Sequence, residues 1–133
     1  MHIGKNSGSV FSLTQKQSIT ADSSTVAEFI GCHLAAKQIL WARNLLEELG
    51  FPQDLPTTMF EDNKSTIVLL NREYNCSKTK HIQLRYNFIR EHIKENRIRV
   101  EYLSSEEMIS DMLTKNLLPA TFLHLRTKLL RMN

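Results

Sequence analysis

The stretch STVAEFIGCHLAAKQILWARNLLEELGFPQDLPTTMFEDN, residues 24–63, contains two patterns that decide the fold class. From Ser24 to Leu49 apolar residues recur at helical spacing, and a glycine and a proline end the pattern. The β-prone run TTMFE, residues 57–61, predicts a short buried strand whose end presents Asp62. The stretch therefore predicts a long helix followed by a strand of a covered sheet.

One arc of the predicted helix is apolar and is expected to face the sheet. Cys32 lies on this arc and is interpreted as a small core residue. Trp41, with Leu40 and Leu45, is expected in the core rather than as a platform for base stacking. The arc comprises Ala27, Gly31, Leu34, Ala35, Ile39, Ala42, Leu45, Leu46 and Leu49. The small residues among them favour close packing against a sheet.

Outward from this stretch, helix and strand patterns alternate. In chain order the sequence predicts a hairpin over residues 1–20, helices over 64–70 and 82–96, a strand over 97–103, a helix opened by the capping box Ser104–Glu107, and a last helix from Pro119. This order predicts an α/β fold with a mixed sheet and helical cover. At 133 residues we expect a single domain, with residues 117–133 as a C-terminal helical extension.

Composition excludes several classes of protein. Hydrophobic residues make up 41% and charged residues 23%, which is ordinary for a globular domain. There is no apolar run long enough for a membrane span or signal peptide, so we expect an intracellular protein, cytoplasmic or nuclear, that does not bind a membrane. The two cysteines have no zinc-ligand spacing.

Charge is distributed unevenly along the chain. Residues 1–63 carry four Lys and Arg against seven Asp and Glu, whereas residues 64–99 carry nine against three. Two interpretations of the basic segment fit equally well: a solvated helix face, or a surface that binds a polyanion such as nucleic acid.

Three carboxylates stand out by position. Glu28 lies within the apolar arc of its helix, although Thr25 and Glu28 also form a capping box that explains it locally. Asp62 follows a buried strand, where a plain helix cap is the simpler interpretation, and Asp111 lies in a later helix, where solvent exposure would suffice. Together, acids at strand ends and helix starts are the oxygen ligands that a hard divalent cation needs.

Four motifs in order resemble a known family. They are Ser23-Ser24-Thr25-x-Ala27-Glu28-Phe29, Phe60-x-Asp62-Asn63-x-Ser65, Lys78-Thr79-Lys80-His81-Ile82-x-x-Arg85-Tyr86-x-x-Ile89-Arg90-Glu91 and Ser110-Asp111-x-Leu113-Thr114-Lys115. The ordered set resembles the ribonuclease H domain at the C-terminal end of copia-type LTR retrotransposon polyproteins. The resemblance covers nearly the whole chain.

The resemblance implies a ribonuclease H-like mixed sheet and a site of four carboxylates that binds two Mg²⁺ ions. Such a site hydrolyses the RNA strand of an RNA–DNA hybrid during reverse transcription. Carried over by motif, Glu28, Asp62 and Asp111 are the catalytic and metal-binding acids. The family's first acid has no match, so we expect a chain that lacks the first strand, starts within the second, and binds magnesium weakly.

The basic motif adds an expected nucleic-acid surface. Its members are Lys78, Lys80, His81, Arg85 and Asn63. For His81, a partly exposed histidine at a helix start is the simpler interpretation. The expected partners are an RNA–DNA hybrid and the upstream reverse transcriptase part of the same polyprotein. The alternative function is a catalytically inactive remnant of such a polyprotein that binds nucleic acid or has a structural role.

Overall fold

The computed structural model describes residues 24–71 and 80–130. Its elements are α1 (Ser24–Glu48), β1 (Thr57–Glu61), α2 (Lys64–Asn71), α3 (Lys80–Lys94), β2 (Ile98–Tyr102), α4 (Asp111–Thr114) and α5 (Pro119–Leu130). The hairpin predicted over residues 1–20 lies outside the described residues. The predicted α/β class is confirmed, and the arrangement is compatible with a ribonuclease H-like fold.

The described residues fall into two compact units, one within Ile19–Tyr102 and the other within Leu103–Asn133. In the first unit, β1 and β2 pair in parallel, with Thr57 opposite Ile98 and Glu61 opposite Tyr102. Parallel strands need a long crossover, which α2 and α3 provide here.

The core of the first unit lies between α1, the two strands and α3. Its buried members are Phe29, Cys32, Ala36, Ile39, Leu40, Met59, Leu70, Tyr86, Ile89 and Ile98. Cys32 is buried as predicted, at 4% exposure. The Tyr86 hydroxyl donates a hydrogen bond to the carbonyl of Leu69, which ties α3 to α2 and satisfies the polar end of a buried ring.

Both long helices of this unit end in the same motif. Gly50 has a φ of 85°, and hydrogen bonds run from its N–H to the Glu47 carbonyl at 3.0 Å and from Phe51 N–H to the Leu46 carbonyl at 2.8 Å. Asn96, with φ 56°, ends α3 in the same way. These are Schellman motifs. Their left-handed position is occupied most often by Gly and sometimes by Asn, as here.

The buried face of α1 is displaced from the predicted arc. Trp41, which the sequence predicted in the core, is 59% exposed, and Leu34, Leu45 and Leu49 are also exposed. The prediction was wrong because a helical wheel with apolar residues on most sides does not define the centre of the buried face. That centre is set by the sheet and helices that contact α1.

Arg43 lies on the buried face of α1 instead. Its guanidinium donates hydrogen bonds to the Leu55 carbonyl at 2.7 Å, to the Thr57 hydroxyl at 3.0 Å, and to the Gln53 carbonyl. The side chain is 5% exposed. It therefore fixes the loop that leads from α1 into β1.

In the second unit, the predicted helix from Ser104 is not formed. Residues 105–107 form a turn, and α4 begins only at Asp111. The Glu107 carboxylate is paired with His124 at 3.2 Å and with Lys128, both on α5. The capping box failed as a predictor because its acid is engaged by another helix. The predicted last helix is present as α5, with Leu125 fully buried.

Candidate active site

The candidate site lies where β1 ends and α2 begins. Asp62 and Asn63 follow the last residue of the strand, and both are half-buried. In α/β sheets, the carboxyl ends of parallel strands are the usual edge for ligand sites. The short connection to α2 therefore holds polar side chains at this edge.

Asn63 joins this edge to α1. Its side-chain amide donates a hydrogen bond to the Glu28 carboxylate, 35 positions away in sequence. Its Oδ1 accepts hydrogen bonds from the backbone N–H groups of Ser65 at 2.8 Å and Thr66 at 3.3 Å. Asn63 is thus the N-cap of α2 and also a partner for Glu28.

The contact to Asn63 gives Glu28 a partner outside its own helix. Glu28 is half-buried on the side of α1 that faces the β1–α2 connection. Sequence left open whether this acid caps α1 or faces inward. A long-range hydrogen bond is what the inward-facing interpretation requires, because a half-buried carboxylate needs a partner.

Glu61 is a residue of this site that the sequence analysis missed. It is 8% exposed, and its carboxylate accepts hydrogen bonds from the Cys32 thiol at 3.0 Å and from the Asn63 N–H at 3.1 Å. Burial raises the pKa of the Glu61 carboxyl, although these two hydrogen bonds oppose the change. The available signal was strand alternation, which places Glu61 on the same face as the buried Met59.

The negative charges at this edge affect one another. Besides burial, the charges of Glu28 and Asp62 raise the pKa of Glu61. Burial raises the pKa of the Cys32 thiol strongly, and the hydrogen bond and charge of Glu61 and the charges of Glu28 and Asp62 add to it. Three carboxylates from α1, β1 and the β1–α2 connection therefore lie near one thiol, which stays protonated at neutral pH.

The donor chemistry of this edge suits a hard cation, since carboxylate and amide oxygens are the ligands magnesium takes. Within residues 24–71 and 80–130, however, no group of three or more His, Cys, Asp and Glu side chains has the arrangement of a metal site. The metal-binding role of Glu28 and Asp62 stays a prediction.

Asp111 lies in the second unit. It is the first residue of α4, is 7% exposed, and its carboxylate pairs with Lys115 one turn later at 2.7 Å. The pairing accounts for an acid that is buried there. The catalytic role that the resemblance gives Asp111 also stays a prediction.

The residues expected to bind nucleic acid are placed in part. Lys80 is exposed at the start of α3, and Arg85 is half-buried on the same helix. Asn63 caps α2 as described above. Lys78 and the side chain of His81 lie outside what the structure describes.

Among the described residues, no helix combines the length and apolar character that crossing a bilayer requires.

Comparison with known proteins finds relatives among transposon polyproteins. The chain is 36% identical over 110 residues to the retrovirus-related Pol polyprotein from transposon TNT 1-94 of Nicotiana tabacum, a match that covers 82% of the chain. The corresponding polyproteins from transposons RE2 and RE1 of Arabidopsis thaliana are 31% and 30% identical over 116 residues, or 87% of the chain. The matched part is 8% of the length of each relative.

No family model matches the chain, and no solved structure matches it. Each of the three sequence matches nevertheless covers 82–87% of the chain. The chain is therefore homologous, over most of its length, to a short part of the retrovirus-related Pol polyproteins of copia-type plant transposons.

Proposed function

We propose that this retrotransposon-derived chain is a ribonuclease H segment of a Pol polyprotein, which hydrolyses the RNA strand of RNA–DNA hybrids. The observation that carries the proposal is the hydrogen bond from Asn63 to Glu28. It brings together two of the motifs behind the family resemblance, one on α1 and the other after β1. Sequence motifs that meet in the fold are what a shared site requires.

Magnesium is the proposed cofactor, and Glu28 and Asp62 are its proposed ligands in the first unit. Of the two ions that the resemblance implies, one would activate a water molecule and the other would stabilise the leaving oxygen of the cleaved phosphodiester. Both side chains offer carboxylate oxygens at one edge, which fits the ion chemically. The resemblance adds Asp111, whose contribution is tested separately by substitution.

The remaining residues of the edge act on these two acids. Asn63 orients the Glu28 carboxylate, because its amide is fixed by capping α2. Glu61 lies beside these acids, held by hydrogen bonds from Cys32 and from the Asn63 backbone, and burial raises the pKa of its carboxyl.

The test is cleavage of a hybrid with a labelled RNA strand by the 133-residue chain, with magnesium or with a chelator. We expect slow, magnesium-dependent cleavage, because only three of the four family acids have a match. Asp62→Asn, Glu28→Gln and Asp111→Asn should each abolish it. Asp54→Asn, an exposed acid in the loop before β1, is the matched control and should cleave as the parent does.

Two results would contradict the proposal. One is cleavage that persists in Asp62→Asn at the parent rate, and the other is the same cleavage of single-stranded RNA. Hybrid binding with no cleavage under any metal would favour the alternative function, an inactive nucleic-acid-binding remnant. Circular dichroism spectra of all variants check that loss of cleavage is not loss of folding.

A further inference from the structure

Three aromatic rings pack edge-on at the contact between α1 and α3. His33 on α1 packs edge-on against Phe88 at 5.1 Å between ring centroids, and Phe88 packs against His92 at 4.8 Å. His92 in turn contacts the Glu95 carboxylate through Nδ1 at 3.0 Å. His33 has no such carboxylate: its Nδ1 is buried and has no hydrogen-bond partner among the described residues.

Two cations flank His33, one from each helix. Lys37 follows it by one turn on α1 and is exposed, and Arg85 lies one turn before Phe88 on α3 and is half-buried. Among the described residues, neither cation has a hydrogen bond or ion pair. A half-buried arginine without an acceptor is unusual, because arginine at such positions normally donates hydrogen bonds to an oxygen atom.

The ring contact and the one-turn spacings place Arg85 and Lys37 on the His33 side of their helices, and their charges act on its ring. Burial lowers its pKa, and the positive charges of Arg85 and then Lys37 lower it further. The groups that act on His33 from α1 and α3 are therefore both positive, and the ring stays neutral at neutral pH. Within residues 24–71 and 80–130, the two positive charges at this helix contact have no carboxylate paired with them, since Glu95 pairs with His92.

We propose that Lys37 and Arg85, with His33 beside them, form a binding site for a phosphate group. The phosphate is one in the backbone of a bound nucleic acid, and in this respect the inference rests on the proposed function. The site would extend the expected nucleic-acid surface from α3 onto α1. Arg85 offers a planar set of donors and Lys37 a mobile point charge, a combination that suits phosphate oxygens.

Phosphate binding at this site is linked to protonation of His33. An anion beside Lys37 and Arg85 offsets the two charges that disfavour the imidazolium, so bound phosphate raises the pKa of His33. By reciprocity, protonation of His33 strengthens phosphate binding by the same factor. Affinity should therefore rise as pH falls through the range in which His33 titrates.

The test is an NMR titration of the histidine rings of the full chain, with the His33 signal identified by its loss in His33→Gln. The ring is titrated with protons alone, with inorganic phosphate, and with a short RNA–DNA hybrid. Lys37→Gln and Arg85→Gln are compared with Lys94→Gln, which removes the same charge from α3 about 180° round the helix from Arg85.

The proposal expects hybrid to raise the pKa of His33 in the parent and in Lys94→Gln, with a much smaller rise in Lys37→Gln and Arg85→Gln. Each of these two variants should also bind hybrid several-fold more weakly. The slope of the logarithm of the binding constant against the logarithm of salt concentration should be smaller in magnitude by roughly 0.7 to 0.9 for each phosphate that is no longer neutralised. His33→Gln should bind hybrid with a weaker dependence on pH.

The outcomes separate this inference from the proposed function. If hybrid binds with equal affinity and slope in Lys37→Gln, Arg85→Gln and Lys94→Gln, and His33 does not respond, the site is refuted while the proposed function stands. If inorganic phosphate raises the pKa of His33 but hybrid does not bind, the phosphate site stands and the proposed function fails. If neither ligand moves the His33 signal, the site is refuted.

Discussion

The side-chain amide of Asn63 donates a hydrogen bond to the carboxylate of Glu28, while its Oδ1 caps α2. One side chain thus fixes the start of a helix and orients an acid on another helix. Through it, α1 and the β1–α2 connection are held together at the edge of the sheet where Asp62 lies.

Loss of the Asn63 side chain should reduce stability more than an ordinary surface substitution. We expect Asn63→Ala to lower the free energy of unfolding by about 1–2 kcal/mol, since it removes an N-cap and leaves Glu28 without this partner. Urea unfolding followed by circular dichroism measures the change. Asn71→Ala, at the exposed end of α2, is the control and should cost less than about 0.5 kcal/mol. Equal effects of the two substitutions would show that the Asn63 hydrogen bonds contribute nothing to stability.

The buried carboxyl of Glu61 should make stability fall as pH rises. Its pKa in the folded protein lies above the ordinary value of 4.5, so the unfolded chain releases this proton first as pH increases. The contribution of the neutral carboxyl is fully present below pH 4.5 and is lost as pH rises through the folded pKa.

Glu61→Gln should remove this dependence, because the amide oxygen still accepts from Cys32 and Asn63 without a charge to bury. We expect its free energy of unfolding, relative to the parent, to increase between about pH 4 and 7. Glu48→Gln, at the exposed end of α1, should show no such trend. A constant difference between Glu61→Gln and the parent over this range would contradict the prediction.

Substitution by alanine should change the stability of the fold in opposite directions at Gly50 and Gly31. Gly50 has a φ of 85°, which an L side chain rarely adopts, so Gly50→Ala should cost about 1–2 kcal/mol. Gly31 lies within α1 and a Cβ there would meet nothing within 4 Å, so Gly31→Ala should stabilise by up to about 1 kcal/mol. Thermal unfolding of the pair measures both effects. Equal shifts would show that φ does not decide the outcome.

Substitution in the basic segment should weaken nucleic-acid binding without loss of fold. Replacing Lys78, Lys80 and Arg85 by Ala should lower affinity for RNA–DNA hybrid. It should also make this affinity depend less on salt concentration, with the log–log slope smaller in magnitude by roughly 0.7 to 0.9 for each phosphate left without its cation. Thermal stability should change little, since Lys80 is exposed and Arg85 has no ion pair among the described residues. An unchanged slope would favour the other interpretation of this segment, a solvated helix face.

Local patterns in the sequence were sufficient for the elements of the first unit. The predicted helix from Ser24 to Leu49 is observed as Ser24–Glu48, and TTMFE forms a strand at the predicted residues. Helical periodicity, strand alternation and left-handed end residues act over a few positions, so they are visible in the sequence. The same patterns placed Asp62 and Asn63 at a strand end.

Contacts between residues that are distant in sequence decided the roles of Glu28 and Glu107. Sequence left two roles open for Glu28, and only the approach of Asn63 gives it a partner outside its own helix. Glu107 matched a capping box, yet its carboxylate pairs with α5.

For the described residues, the sequence by itself determined the order of helices and strands and an α/β class, because hydrophobic period and turn residues are properties of neighbouring positions. Tertiary structure alone decided that Trp41 is exposed, Arg43 is buried, and Glu61 lies beside Cys32. The physical reason is that burial depends on which surfaces meet. A helix with apolar residues on several sides can bury any of them, and only the elements packed against it select one.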